Sequence, residues 1–381
     1  MAEIEVYQCS PPQIAASQPF QSFRQLSDGR HGTGKSDHIT CGDLELLLDP
    51  DIESIDRLAQ EHFGRIVTIS ACKGPMGSMS IMMSSSTRSM KTKEVPTKSG
   101  RVTTEGDELY YEVRGQGQPL LMISGGGGDG GSYSLIAEIL SDEYKVITYD
   151  RRANARSTMN DPQNFEVSQQ SRDAVAVLLA AGETSAFVFG NSSGAVIALD
   201  MAKTQAQSIR AIVAHEPPLA RVHLNSSKWQ RFFAGVYYTA FRHGATLAML
   251  RFAFGLGLDH SFRQAMKAHK AMRGYREKSG NHYINRKVTA DFFLHQELLP
   301  VTNYLPDIET IKKNRVRVFM AAGKRSLHKK RFYAERAQIL ARKLGCELVT
   351  FPGHHGSFID MPDEFAAALR SVLHKAQGVN Q

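Results

Sequence analysis

Five residues constrain this chain more than any others: Gly190-Asn191-Ser192-Ser193-Gly194. An apolar run, residues 185–189, reads as a short strand before them, and residues 195–200 continue as a helix. The order strand, G-x-S-x-G, helix is what a strained strand-to-helix turn requires. Small residues two before and two after the serine let the backbone double back and leave Ser192 at the tip. The bare pattern recurs by chance in many proteins, and its flanking elements set this copy apart. A serine so placed calls for a base, an acid and oxyanion donors elsewhere in the chain.

The 381 residues suffice for one large domain or two ordinary ones, and an apolar share of 42% with 22% charged residues suits a soluble globular protein. No run of about 18 apolar residues occurs, so no transmembrane segment is expected. The acidic start, Met1 to Val6, lacks the apolar core of a secretory signal. Cys9, Cys41, Cys72 and Cys346 are scattered, with neither zinc spacing nor a disulfide framework. No metal or cofactor is expected, and a reducing, cytoplasmic setting is. Net charge is +8, and residues 217–305 hold 13 Lys and Arg against 4 Asp and Glu, +9, leaving −1 for the remainder. With no nucleic-acid motif around them, these cations read as a solvated outer face of helices or as a positive approach for acidic substrates. A nucleic-acid partner is not expected, and the sequence is silent on oligomeric state.

Residues 1–99 have short, broken periodicity and read as an N-terminal extension, largely disordered. They contain a decoy: Gly29 to Ser36 fits G-x-x-x-x-G-K-[ST] letter for letter. It lacks the buried strand before and the helix after that make such a loop bind phosphate. From about residue 100 the pattern becomes regular. Residues 101–104 and 108–114, joined through Gly106-Asp107, read as a hairpin. Apolar strands follow at 119–124, 145–150, 210–216, 316–322 and 347–351, with helices at 134–140, 169–181, 331–344 and 363–374. Strands alternating with helices predict a parallel sheet covered on both faces. Residues 217–305, helix-rich and aromatic, interrupt that rhythm as an inserted cap.

In this context residues 100–377 resemble the α/β-hydrolase superfamily, in particular its small-molecule hydrolases with a helical cap. The strand and glycine loop at 120–128 stand where the family has its His-Gly-x segment. Residues 150–157 resemble the D-x-R-G-x-G-x-S loop, with Ala153 and Ala155 in place of glycines. The elbow, the His215 to Pro218 strand end and the histidine loop at 351–362 complete the order. The resemblance implies an α/β-hydrolase fold: a mostly parallel central sheet with helices on both faces, its core formed by residues 100–216 and 306–377 and its cap by 217–305.

The same resemblance implies an esterase-like serine hydrolase without cofactor. The family's histidine commonly precedes a proline by seven residues, which favours His355, before Pro362, over His354 as the base. The acid often stands in a G-x-x-D turn, but here Gly323 to Ser326 puts serine in that place. The alternative family position, the end of the sixth strand, holds Glu216, and Asp307 is the outside candidate. Ser192, Glu216 and His355 keep the family's chain order. Oxyanion donors are expected from Ser193 and, in the glycine loop, Gly126. A dinucleotide reading of 125–131 would need Asp150 as its ribose-binding acid. The implied substrate is a small or medium ester, lactone or thioester, and the basic cap hints at an anionic or polyphenolic one. Carbon–carbon hydrolysis, acyl transfer or cofactor-free peroxidation share the same motifs, and Ser326 leaves open a hydrolase-fold binding protein without turnover.

Overall fold

The structure, a computed structural model, describes residues 96–158, 160, 165–222, 225–257 and 286–378. The decoy at Gly29–Ser36 and residues 1–95 of the expected disordered extension (1–99) lie outside them, while residues 97–99 belong to the first strand.

Eight strands form one sheet: β1 Thr97–Thr104, β2 Asp107–Arg114, β3 Gln118–Ile123, β4 Tyr144–Tyr149, β5 Ala186–Asn191, β6 Ile209–His215, β7 Val318–Gly323 and β8 Glu347–Phe351. Their order is β1-β2-β4-β3-β5-β6-β7-β8; β1–β2 and β2–β4 pair antiparallel and every other neighbour is parallel. The expected hairpin is present, with β1 starting a few residues earlier than its text suggested. Because side chains alternate across a strand, each central strand feeds two cores. Leu121, Ile123, Val188, Ile212 and Met320 point to one side, and Leu120, Met122, Phe187, Phe189 and Phe319 to the other. Burial on both faces explains why these strands read as unbroken apolar runs.

The helices are α1 Ser134–Leu140, α2 Val167–Ala180, α3 Ser193–Thr204, α4 Ser226–His243, α5 Ala245–Leu256, α6 Arg286–Phe292, α7 Leu298–Asn303, α8 Ile308–Lys313, α9 Lys324–His328, α10 Phe332–Leu344, α11 Ser357–Asp360 and α12 Pro362–Gln377. Those of α2, α3 and α10 cover the first face, and α1 and α12 the second. A π-helical turn, Phe293–Glu297, links α6 to α7. The helices α4 to α7 therefore fall between β6 and β7, where the alternation in the sequence broke. No helix among the described residues is long and apolar enough to cross a membrane.

One detail of the resemblance acquires a physical meaning. Ala153 and Ala155 have φ of 66° and 48°, the left-handed region that glycine adopts freely. An alanine pays roughly 1 kcal/mol for that conformation. The loop is held regardless, because Arg152 pairs with Asp107 and Asp173, and Arg156 with Asp150 and Glu112, all buried.

Candidate active site

The elbow sits at the carboxyl edge of the parallel strands, where β5 passes into α3. Ser192 has φ 56° and ψ −120°, a conformation that costs a non-glycine residue about 1–3 kcal/mol and persists only where its surroundings enforce it. The surroundings here are tight. A Cβ on Gly190 would lie 2.2 Å from the Gly194 carbonyl oxygen, and one on Gly194 would lie 2.0 Å from that of Ile123. Ser192 N–H donates to the His215 carbonyl at 2.9 Å, which ties the turn to β6. Ser193 and Gly194 open α3, so their N–H groups have no acceptor within the helix.

On the next strand, β6 stops at His215 and the backbone turns sharply at Glu216, φ 51°. The fully buried Glu216 carboxylate is held at both oxygens. Oε1 accepts from Gly323 N–H at 2.9 Å, and Oε2 lies 2.7 Å from His355 Nδ1. Burial works against its charge, but His215, His355 and the Gly323 N–H outweigh it and keep the carboxyl below the usual range. The Tyr333 ring of α10 packs against the His355 ring, centroids 4.3 Å apart and planes tilted by 39°. His354 points elsewhere: its Nε2 lies 2.8 Å from Asp360, and its N–H donates to Ser357 Oγ.

The rival acids have other partners. Asp307 caps α8, accepting from Thr310 N–H at 3.0 Å and Thr310 Oγ1 at 2.8 Å. Ser326 is buried inside α9, with no hydrogen-bond partner for its hydroxyl among the described residues. Asp150 is consumed by Arg156 and by Gly130 N–H, which it accepts at 2.8 Å. It therefore pins the glycine loop from beneath, and the residues do not form a ribose site.

Sequence reading did not find His215. Its Nδ1 lies 2.7 Å from Asn191 Oδ1, locking the elbow to the strand that carries Glu216, and burial pushes its imidazole down to about 4. A neutral buried histidine makes a definite pH prediction. Below its ordinary 6.5 the unfolded chain takes up a proton that the fold refuses, so stability falls as pH drops from about 6.5 towards 4. The loss is roughly 3 kcal/mol at most. Comparing urea midpoints of wild type and His215→Gln across that window isolates the effect; parallel curves would show that His215 titrates normally. The donor atoms of His215, Glu216 and His355 lie within 4.8 Å of one another, a spacing a metal ion could use. Both Glu216 oxygens and His355 Nδ1 are already engaged, so the group fits a hydrogen-bonded network better than an ion cage.

The glycine loop after β3 is positioned by a second residue that no motif announced. Arg151, fully buried, donates from Nε to the Ser124 carbonyl at 3.0 Å and from Nη2 to that of Gly125 at 2.6 Å. Nη2 also reaches Glu297 at 2.7 Å, in the π-helical turn, and Nη1 reaches Gln170 at 3.3 Å. Phe293, in that same turn, packs so closely on Gly126 that a Cβ there would lie 2.6 Å from its ring. The sequence shows two arginines after Asp150, but nothing in it links either to a glutamate 146 positions away.

Sheet order, elbow and strand-end residues together define a class, and the comparisons agree. A model of the alpha/beta hydrolase family matches residues 120–368, and the chain belongs to that family. Among relatives, the uncharacterized hydrolase YraK of Bacillus subtilis (strain 168) is 29% identical over 283 residues, 73% of this chain and 96% of its own length. Two solved structures share the fold: a thermophilic esterase from Thermogutta terrifontis, TM-score 0.57 at 16% identity over 73% of this chain and 99% of that one; and the enol-lactonase from Burkholderia xenovorans LB400, TM-score 0.54 at 18% identity over 72% and 99%.

Proposed function

We propose that the protein is a serine hydrolase that cleaves a carboxylic ester, lactone or thioester of a small or medium molecule through an acyl-enzyme on Ser192. The observation that carries this reading is the pair of buried Glu216 and half-buried His355, 2.7 Å, delivered to the same sheet edge as the strained serine turn. In this reading Glu216 fixes His355 with its proton on Nδ1, leaving Nε2 as the base for the Ser192 hydroxyl. The serine attacks the carbonyl, His355 passes the proton to the leaving group, and water then resolves the ester. The N–H groups of Ser193 and Gly126 take the developing oxyanion. Helices α4 to α7 act as the cap, with Phe293 over the loop. The esterase and lactonase named among the structural neighbours support the substrate class by analogy of fold.

The non-catalytic alternative rested on Ser326 standing where an acid is usual. The Glu216 carboxylate 2.7 Å from His355 supports the catalytic reading over that one. A fluorophosphonate probe is expected to label folded wild-type protein at Ser192, located by peptide mass, and to leave Ser192→Ala unlabelled. Folded wild type that takes up no probe sinks the hydrolase reading.

A further inference from the structure

A buried cation lies one helical turn from the residue that stacks on His355. Arg336 belongs to α10, three positions after Tyr333, so the two share a helix face with Cβ atoms roughly 5–6 Å apart. Its side chain is 0% exposed. The guanidinium carbon lies 4.0 Å from the Phe332 ring centroid and 5.4 Å from that of Trp229. Nη1 alone is occupied: it donates to the Phe332 carbonyl at 3.3 Å and meets Glu335, itself 35% exposed, at 3.2 Å. Nε and Nη2 have no partner among the described residues. Burial pulls the group down to about 10, which leaves it charged at neutral pH.

Two features make this a binding group. A buried charge with unsatisfied donors is costly and rare in a native fold. The empty pair, Nε and Nη2, is also one planar edge of the guanidinium, the fork that donates to both oxygens of a carboxylate.

The location connects that edge to the site. From Gly126 a run of packed rings leads through Phe293 to Phe252 (centroids 5.5 Å), to Phe233 (6.3 Å), to Trp229 (6.4 Å), and on to Phe332 (4.1 Å), where Arg336 stacks. A shorter route leads from His355 through Tyr333 along α10. Arg336 thus lies at the far end of a continuous aromatic core layer whose other end is the glycine loop.

We propose that Arg336 is an anion subsite, and that the substrate is an ester or lactone whose end remote from the scissile bond carries a carboxylate. The substrate clause rests on the serine-hydrolase reading; the subsite does not. The decisive probes are mono-p-nitrophenyl adipate, with a free terminal carboxylate, and p-nitrophenyl hexanoate, its uncharged counterpart. Wild type is expected to prefer the adipate ester, and Arg336→Met to lose about 10- to 100-fold in kcat/KM for it, mainly through KM. The ratio of adipate to hexanoate kcat/KM should fall about 10-fold or more in Arg336→Met, and Arg336→Lys should recover part of that preference as a point charge without the fork. A purely structural arginine would lower both substrates alike, and that result, or equal use of both by wild type, overturns the proposal. Calorimetric titration with adipate separates the two readings. Binding to wild type and not to Arg336→Met upholds the subsite even if neither ester turns over, and no binding to wild type overturns it.

Discussion

Glutamine at position 216 is expected to leave a folded protein whose kcat is lower by about 10⁴-fold. The size of the loss follows from which atoms the replacement must satisfy. Gly323 N–H points at Oε1 from 2.9 Å and requires an acceptor, so the amide oxygen of a glutamine would take that place. Its NH2 group would then face His355 Nδ1, where the carboxylate oxygen now lies at 2.7 Å. A donor facing Nδ1 makes that nitrogen an acceptor and moves the imidazole proton to Nε2, the wrong side to receive a proton from Ser192. The imidazolium formed during the reaction would also lose its buried counter-charge. Asp307→Asn is the matched control: Asp307 caps α8, so that variant should keep its kcat and lose at most about 1 kcal/mol of stability. Steady-state kinetics on any turned-over ester, with thermal melts of both variants, checks the pair. An active Glu216→Gln alongside a dead Asp307→Asn would reverse the assignment.

Much of this architecture was legible in the chain because it is written in local signals. The strands of the sheet centre are buried on both faces, so they appear as apolar runs, and the helices between them follow in order. The elbow was legible for a related reason. Its glycines at 190 and 194 are demanded by backbone atoms 2.0–2.2 Å from where a Cβ would stand, and sterics of that kind leave no other residue type. The pairing of Glu216 with His355 is different in kind. It depends on β6 ending one residue before Glu216 and on a turned backbone there, and periodicity resolves neither. His215 and Tyr333 were invisible because each matters through a partner distant in sequence, and Arg336 because its burial is set by the tertiary packing around α10. A buried histidine or arginine has no local signature that tells it from a surface one.

Methionine in place of Arg151 is expected to cost about 3–5 kcal/mol of stability and to lower kcat by about 10²-fold, and the two losses have separate origins. The first lies in the π-helical turn. Glu297 is fully buried, its Oε2 has no partner among the described residues, and its Oε1 depends on Arg151 at 2.7 Å. Without the arginine it becomes an isolated buried carboxylate. The second lies in the glycine loop, whose Ser124 and Gly125 carbonyls are held by Nε and Nη2. Once released, they no longer aim the Gly126 N–H that we propose receives the oxyanion. The double variant Arg151→Met/Glu297→Met removes the stranded charge and leaves the loop unheld. It should recover at least half of the lost stability in urea unfolding while its kcat stays low. Such non-additivity is expected of residues in direct contact, and a full cycle with Glu297→Met measures it. Recovery of stability and kcat together would mean that Arg151 serves only as a counter-ion. Recovery of stability alone would mean that the loop proposed to receive the oxyanion is set by a residue outside the proposed triad, one that bridges the end of β3 and the π-helical turn at Glu297.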